Sequence, residues 1–153
     1  MALSPLLVAM AFGACNAHPT PPTFPLEPKV LDVRLEDNRF EYQDPIPAGR
    51  VVFRVQNVGG VEHELQLFPL SEQMPSIDDQ LRGSERRILN PLGGVPHRRP
   101  GQGGVFASDL VVGQRYAMIC FLRNANGSHA LQGMASEFRA IDPAAVAPST
   151  TER

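Results

Sequence analysis

Residues 114–134 read QRYAMICFLRNANGSHALQGM, and this segment says most about the architecture of the chain. Its first half has the pattern of a strand. Tyr116, Met118 and Cys120 are spaced two residues apart and therefore share one face of an extended backbone. The second half contains the turn pair Asn126-Gly127, which predicts a loop. The segment therefore predicts a strand that ends at a cysteine and continues into a long loop.

Three side chains with sulfur or imidazole groups lie on that strand end and loop. His129 follows Cys120 by nine residues, and Met134 follows His129 by five. A fourth candidate, His63, begins another alternating segment with its side chain on the inward face. Since that strand can begin at the same end of the domain, we expect His63 to reach the other three side chains.

The remaining alternating segments predict an antiparallel β-sandwich. In one of them Val51, Phe53 and Val55 share a face, as expected of a half-buried strand. The 13 glycines and 15 prolines suit a turn-rich, all-β domain better than a helical bundle. The predicted strands besides residues 114–121 are Val30–Leu35, a short piece around Phe40 and Tyr42, Arg50–Gln56, His63–Leu67, Val105–Val112 and Glu137–Ile141.

One short helical excursion interrupts the predicted strands. Ser76 has the character of a helix N-cap, and Leu81, Ile88 and Leu89 could line one side of the helix. The residues that follow, Asn90–Gly104, are rich in glycine and proline and predict a loop.

The charge balance excludes some classes of partner. Fourteen lysines and arginines stand against 16 aspartates and glutamates, a net charge of −2, which argues against nucleic-acid binding and a polybasic membrane patch. A cysteine-hydrolase interpretation of Cys120 and His129 lacks a helix N-terminus for an oxyanion hole, and the thiol ends a strand. With no evident small-molecule substrate, we expect a protein that is not an enzyme.

The chemistry of the four side chains favours copper. Thiolate and thioether ligands combined with imidazoles select copper over hard cations. Two histidines and a cysteine with a weak axial methionine form the ligand set of blue-copper electron-transfer sites. A site whose geometry is intermediate between those that Cu(I) and Cu(II) prefer rearranges little when the ion gains or loses an electron.

The sequence resembles the cupredoxins, and in particular bacterial single-domain cupredoxin-like proteins. The likeness covers roughly Val30 to Ile141. The matching segments are Ala48–Asn57, His63-Glu64-Leu65, Tyr116–Phe121, Gly127-Ser128-His129 and Gly133-Met134.

The resemblance implies a cupredoxin-like Greek-key β-sandwich that holds one copper ion through His63, Cys120, His129 and Met134. It also implies that Asn57 braces the copper-binding loop. The implied function is that of a one-electron carrier, Cu(II)/Cu(I), with a transient redox partner protein.

The resemblance also implies a docking surface. Electrons would pass through His129, and we expect Phe121, Ala130 and Leu131 to form part of an apolar face on which the partner docks.

Two other functions remain open at this point. The spacing from Cys120 to His129 is longer than in compact loops of plastocyanin or azurin type, which leaves room for a copper storage or delivery module without an electron-transfer role. A metal-free sandwich with an adhesive or structural role is the other alternative.

The N-terminal segment predicts export. Residues 1–15 form a short apolar stretch that ends in Gly13-Ala14-Cys15, which resembles a bacterial lipobox with lipidation at Cys15. An ordinary signal peptide cleaved after Ala11 is the alternative. We expect residues 16–28 to be a Pro-rich linker, residues 29–141 the copper-binding domain and residues 142–153 a disordered tail. The predicted location is extracytoplasmic, in the periplasm or cell envelope, with a lipid anchor.

Overall fold

The computed structural model describes residues 27–83, 87 and 90–145. Some of the sequence-based predictions fall outside this part of the chain. They are the signal segment with Cys15, residues 16–26 of the linker, Ile88 and Leu89 of the helical segment, and residues 146–153 of the tail.

The described chain is mostly β-structure, with one short helix between the fourth and fifth strands. The strands are β1 (Lys29–Glu36), β2 (Arg39–Tyr42), β3 (Gly49–Asn57), β4 (His63–Leu70), β5 (Gly93–Arg98), β6 (Gly103–Leu110), β7 (Arg115–Ile119), β8 (Arg123–Asn124), β9 (Gly127–Ser128) and β10 (Ala135–Arg139), and the helix is α1 (Ile77–Arg82). Two short 3₁₀ turns span Ala130–Gln132 and Pro143–Ala145.

Two four-stranded sheets form the sandwich, in the orders β2-β1-β3-β6 and β10-β7-β4-β5. The pairing of β1 with β3 is parallel, whereas the sequence predicted an antiparallel arrangement throughout. The reason is topological. Strand β2 occupies one edge of β1 and runs back towards its start, and β3 begins beside the start of β1 on the other edge, so it runs in the same direction as β1.

The main core lies between the two sheets, and the predicted inward faces are confirmed. Side chains from alternate positions of the strands fill it, as the pleat of a strand requires. They include Val51, Phe53 and Val55 of β3, Leu65 and Leu67 of β4, and Tyr116, Met118 and Cys120 at β7, all at most 3% exposed.

Helix α1 covers the outer face of the second sheet. The hydroxyl of Ser76 accepts a hydrogen bond from the backbone N–H of Asp79, so the predicted N-cap is confirmed. Ile77 and Leu81 pack with Ala117 and Ile119, the positions of β7 that point away from the main core. Strand β7 is therefore buried on both faces, which explains its nearly continuous apolar sequence.

The loop predicted over Asn90–Gly104 is wrong in part, because β5 and the start of β6 lie within it. Strand β5 is at the edge of its sheet and pairs only with β4 among the described strands. An edge strand tolerates Pro96, since one side of it needs no ladder hydrogen bonds. The glycines and the proline of this segment predicted a loop, although the segment forms β5 by pairing with β4.

The helices of the described residues include none that is both long and apolar enough to cross a membrane.

Candidate metal centre

The four candidate ligands come from strand ends that meet at one end of the sandwich. His63 begins β4, and Cys120 directly follows β7. Met134 directly precedes β10, and His129 directly precedes the 3₁₀ turn Ala130–Gln132. Strand β7 is antiparallel to both β4 and β10, and its last residue, Ile119, pairs with Ala135 at the start of β10 and with Gln66 in β4, so the chain after Ile119 continues towards the end of β4 that carries His63. We call this end of the sandwich the ligand end.

Three of the ligand atoms already lie together. The Nδ1 atoms of His63 and His129 are 3.2 Å apart, and the Sγ atom of Cys120 is 3.6 Å from Nδ1 of His129. One nitrogen from each histidine and the cysteine sulfur lie within 4.8 Å of one another. These distances allow a single metal ion to contact all three side chains.

Met134 is fully buried and is tied to the same group through the backbone. The N–H of Cys120 donates to the carbonyl of Met134 over 3.0 Å. The N–H of Met134 donates to the carbonyl of His129 over 2.9 Å. The thioether residue is therefore fixed next to the thiol and imidazole residues by the backbone.

The long loop between Cys120 and His129 is accommodated as a small hairpin. Strands β8 and β9 pair with each other, and their tip carries the predicted Asn126-Gly127 turn with a positive φ of 115° at Gly127. At the base of the hairpin the N–H of His129 donates to the carbonyl of Leu122 over 2.9 Å. The hairpin therefore takes up the extra residues, and His129 returns close to Cys120.

Burial shifts the titration of two of the candidate ligands. It raises the pKa of the Cys120 thiol and lowers the pKa of His129, because a low-dielectric site penalises the thiolate and the imidazolium. The neighbouring His63 lowers the pKa of His129 further. A bound cation would favour both the thiolate and the neutral imidazole.

The donor set fits one copper ion. Cys120 and Met134 supply soft sulfur, His63 and His129 supply nitrogen, and all four are at most 4% exposed. Nδ1 of His129 faces the other two ligand atoms, whereas its buried Nε2 atom has no hydrogen-bond partner among the described residues. The arrangement is consistent with a single copper site.

Asn57 stabilises a different segment from the one expected. Its side-chain NH₂ donates to the carbonyl oxygens of Val61 and Arg98 over 2.8 and 2.7 Å, and its oxygen accepts from the N–H of Gly59. These contacts hold the turn that leads into His63, because Asn57 ends β3 next to that turn.

The expected apolar face is formed in part. Leu131 is 46% exposed and Phe121 is half-buried, but Ala130 is buried among the residues beneath α1. Ala130 therefore stabilises the loop from inside and contributes little to a docking surface.

Two carboxylates at the ligand end were missed in the sequence. Asp37 Oδ1 lies 2.9 Å from Nε2 of His63, and hydrogen bonds from His63 and from the N–H of Gly60 lower the pKa of Asp37. Glu64 is 8% exposed and accepts a hydrogen bond from the N–H of Phe121 over 3.0 Å. The sequence offered one hint for Glu64, which directly follows the candidate ligand His63. It offered none for Asp37, because the turn that carries Asp37 is distant in sequence from all four candidate ligands.

His97 lies on β5, within the segment Asn90–Gly104 that the sequence predicted to be a loop. Its side chain is 62% exposed, and its Nε2 atom is 3.7 Å from a carboxylate oxygen of Glu64.

Comparison with known proteins was informative only at the level of structure. No protein-family profile matches the sequence, and a search of curated proteins gave no match. The reduced auracyanin of the photosynthetic bacterium Roseiflexus castenholzii is similar, with a TM-score of 0.52 at 14% identity over 73% of this chain and 96% of that one. Auracyanin A of Chloroflexus aurantiacus, described as a "blue" copper protein, gives 0.50 at 16% identity over 74% and 99%.

An azurin of Methylomonas sp. strain J is similar to the same degree, with a TM-score of 0.50 at 11% identity over 74% of this chain and 98% of that one. These blue-copper proteins are cupredoxins, which are Greek-key β-sandwiches. Identities of this size establish the architecture alone. The chain therefore has the cupredoxin fold, as its sequence predicted.

Proposed function

We propose that this protein is an exported one-electron carrier that binds a single copper ion through His63, Cys120, His129 and Met134. The observation that carries the proposal is the convergence of one nitrogen from each histidine and the cysteine sulfur within 4.8 Å. When bound, the copper would supply the one-electron chemistry by alternating between Cu(II) and Cu(I).

The protein's own part is to hold the ligand atoms in place. The backbone hydrogen bonds among Cys120, His129 and Met134 fix the sulfur and imidazole residues before any metal enters. The site is also buried, so little water has to reorganise around it. Both properties lower the reorganisation energy of electron transfer, as an electron carrier requires.

The partner protein would dock transiently at the ligand end. Support comes from Leu131, an exposed leucine directly after the buried loop residue Ala130, and from half-buried Phe121. His129 lies two residues before the exposed Leu131. Its ring would be the route for the electron.

Export and a lipid anchor at Cys15 are part of the proposal. They rest on the apolar segment that ends in Gly13-Ala14-Cys15. Intact mass of membrane-extracted protein should show a diacylglycerol adduct on Cys15. An unmodified chain that begins before Cys15 would refute the anchor without affecting the copper site.

Copper loading tests the central claim. Purified protein incubated with Cu(II) should bind one equivalent and become intensely coloured through thiolate-to-copper charge transfer. Cys120→Ser should abolish the colour. A colourless complex, or colour that survives in Cys120→Ser, would contradict the proposal.

Redox measurements on the copper-loaded protein distinguish an electron carrier from a copper storage or delivery protein. A reversible redox couple with fast electron self-exchange supports the carrier. Strong preference for Cu(I) with transfer to an apo-protein would favour delivery. Metal analysis of the protein as isolated would separate both from a metal-free structural module.

A further inference from the structure

The turn between β1 and β2 brings a carboxylate to the ligand end. β1 ends at Glu36 and β2 begins at Arg39, so the hairpin turn consists of only Asp37 and Asn38. Asn38 has a positive φ of 75°, a conformation that asparagine adopts more readily than most residues. This turn belongs to the first sheet, whereas the four candidate ligands are carried by the second sheet and its loop.

Asp37 makes a defined contact with the far side of the His63 ring. Its Oδ1 atom lies 2.9 Å from Nε2 of His63, and the N–H of Gly60 donates to both carboxylate oxygens over 3.0 Å. The His63 side chain is 2% exposed and that of Asp37 is 51% exposed. The carboxylate thus borders the solvent while it holds a buried imidazole.

The neighbouring glycines make room for this turn. A Cβ atom on Gly59 would lie 2.4 Å from Oδ1 of Asp37 and 3.0 Å from Nε2 of His63. Gly133, with a φ of 118°, would place a Cβ atom 2.3 Å from the carbonyl oxygen of Asn38. The turn therefore packs closely against both the segment that leads into His63 and the residue before Met134.

We propose that Asp37 is a positioning residue for the metal ligand His63, holding its proton on Nε2 and thereby presenting Nδ1 to copper and stabilising Cu(II) over Cu(I). The inference rests on the proposed copper site and adds a residue to it that the sequence did not indicate.

The geometry of the ring carries the argument. Nδ1 of His63 is 3.2 Å from Nδ1 of His129 and faces the cluster, while Nε2 faces Asp37. A carboxylate that accepts the remaining ring N–H fixes the tautomer and makes the other nitrogen a stronger donor. Added electron density and a nearby negative charge favour the more positive ion, Cu(II).

Asp37→Asn tests the proposal because asparagine keeps an acceptor oxygen and removes the charge. The matched control is Asp32→Asn, since Asp32 lies on β1, the strand that leads into the turn, and pairs with the exposed Arg54. Cu(II) and Cu(I) affinities and the reduction potential are measured on the full chain.

Asp37→Asn should lower the Cu(II) affinity about tenfold relative to the Cu(I) affinity. This ratio corresponds to a rise of about 59 mV in the potential of a one-electron couple. Asp32→Asn should leave the ratio within about twofold of wild type. Equal potentials in the two variants would overturn the proposal.

Gly59→Ala provides a second variant that leaves every charge in place. The added methyl group overlaps Asp37 Oδ1 and should displace the carboxylate from His63. The potential should rise in the same direction as in Asp37→Asn. An unchanged potential and an unchanged His63 resonance would count against the proposal.

NMR of the metal-free protein makes the result independent of copper binding. The His63 ring should show a slowly exchanging proton on Nε2 in wild type and in Asp32→Asn, and faster exchange in Asp37→Asn. A wild-type protein that binds no copper would refute the proposed function. A proton on Nδ1 alone in the wild type would refute the role of Asp37, even if copper binds.

Discussion

The backbone N–H of Phe121 donates a 3.0 Å hydrogen bond to the carboxylate of Glu64. Glu64 directly follows His63, and Phe121 directly follows Cys120, so this bond joins the two strands that supply the first two candidate ligands. It also places a negative charge, 8% exposed, beside the thiol. One side chain thus influences both the position and the electrostatics of Cys120.

Glu64→Gln should raise the reduction potential of the copper-loaded protein. Glutamine still accepts the bond from Phe121, but the charge that favours Cu(II) is lost. We expect the ratio of Cu(II) to Cu(I) affinity to fall on the order of tenfold, or about 59 mV by voltammetry. Glu62→Gln is the control, because Glu62 is exposed and pairs with Arg99. Equal shifts in both variants would mean that only net charge matters.

Met134→Leu should keep the copper colour and change the potential. Leucine preserves the buried volume and the backbone bonds to Cys120 and His129, and removes only the thioether. The potential should rise, since a thioether that would donate weakly to Cu(II) is lost. Absorption spectra and voltammetry measure the two effects. Loss of colour equal to that in Cys120→Ser would contradict the role of Met134 as a weak donor.

Leu81→Ala should destabilise the domain and loosen the ligand loop. Leu81 is 6% exposed and lies on the buried face of α1, in the same cluster as Ala130, which follows His129. We expect a loss of about 2–4 kcal/mol in the free energy of unfolding, measured in urea. Leu92→Ala should cost much less, because Leu92 is 44% exposed. Equal losses would place the helix outside the cooperative unit.

The metal-free protein should lose stability in both acid and alkali. The pKa of His129 is lowered from its ordinary 6.5 by burial, so the unfolded chain takes up a proton more readily and stability falls as the pH drops below about 6.5. The pKa of Cys120 is raised from its ordinary 9.0, so the unfolded thiol ionises first and stability falls as the pH rises above about 9.

Chemical denaturation between pH 5 and pH 10 measures both limbs. His129→Gln should flatten the acid limb, and Cys120→Ser should flatten the alkaline limb. A profile that is unchanged in both variants would show that neither group is responsible. Saturating copper should protect against both losses, because the metal would bind the folded state more tightly than the unfolded chain.

Alternation along the chain was enough to predict most of the sandwich. The pattern in Arg50–Gln56 identified the inward face of β3, and residues 114–121 did the same for β7. Strand β5 was missed because the glycines and proline of Gly93–Arg98 hide an edge strand, whose pairing is determined by β4. The parallel pairing of β1 with β3 also has no local signal, since it depends on which edge of β1 is free.

The candidate ligands were within reach of the sequence for a chemical reason. A set of two imidazoles, a thiol and a thioether is chemically distinctive. Three of these four side chains lie within 15 residues of one another, on one strand end and the loop that follows it. Asp37 could not be found in this way. It lies 26 positions before His63, and only the packing of one sheet on the other brings the two together.

The order of residues in this chain specified most of its strands, the inward faces of those strands and the chemical character of one site, because all three follow from local spacing and side-chain type. The tertiary structure decided the direction of strand pairing, the folding of the long loop into a hairpin and the placement of two carboxylates next to the site. Those features depend on contacts between segments that are distant along the chain, and such contacts form only when the two sheets close on a common core.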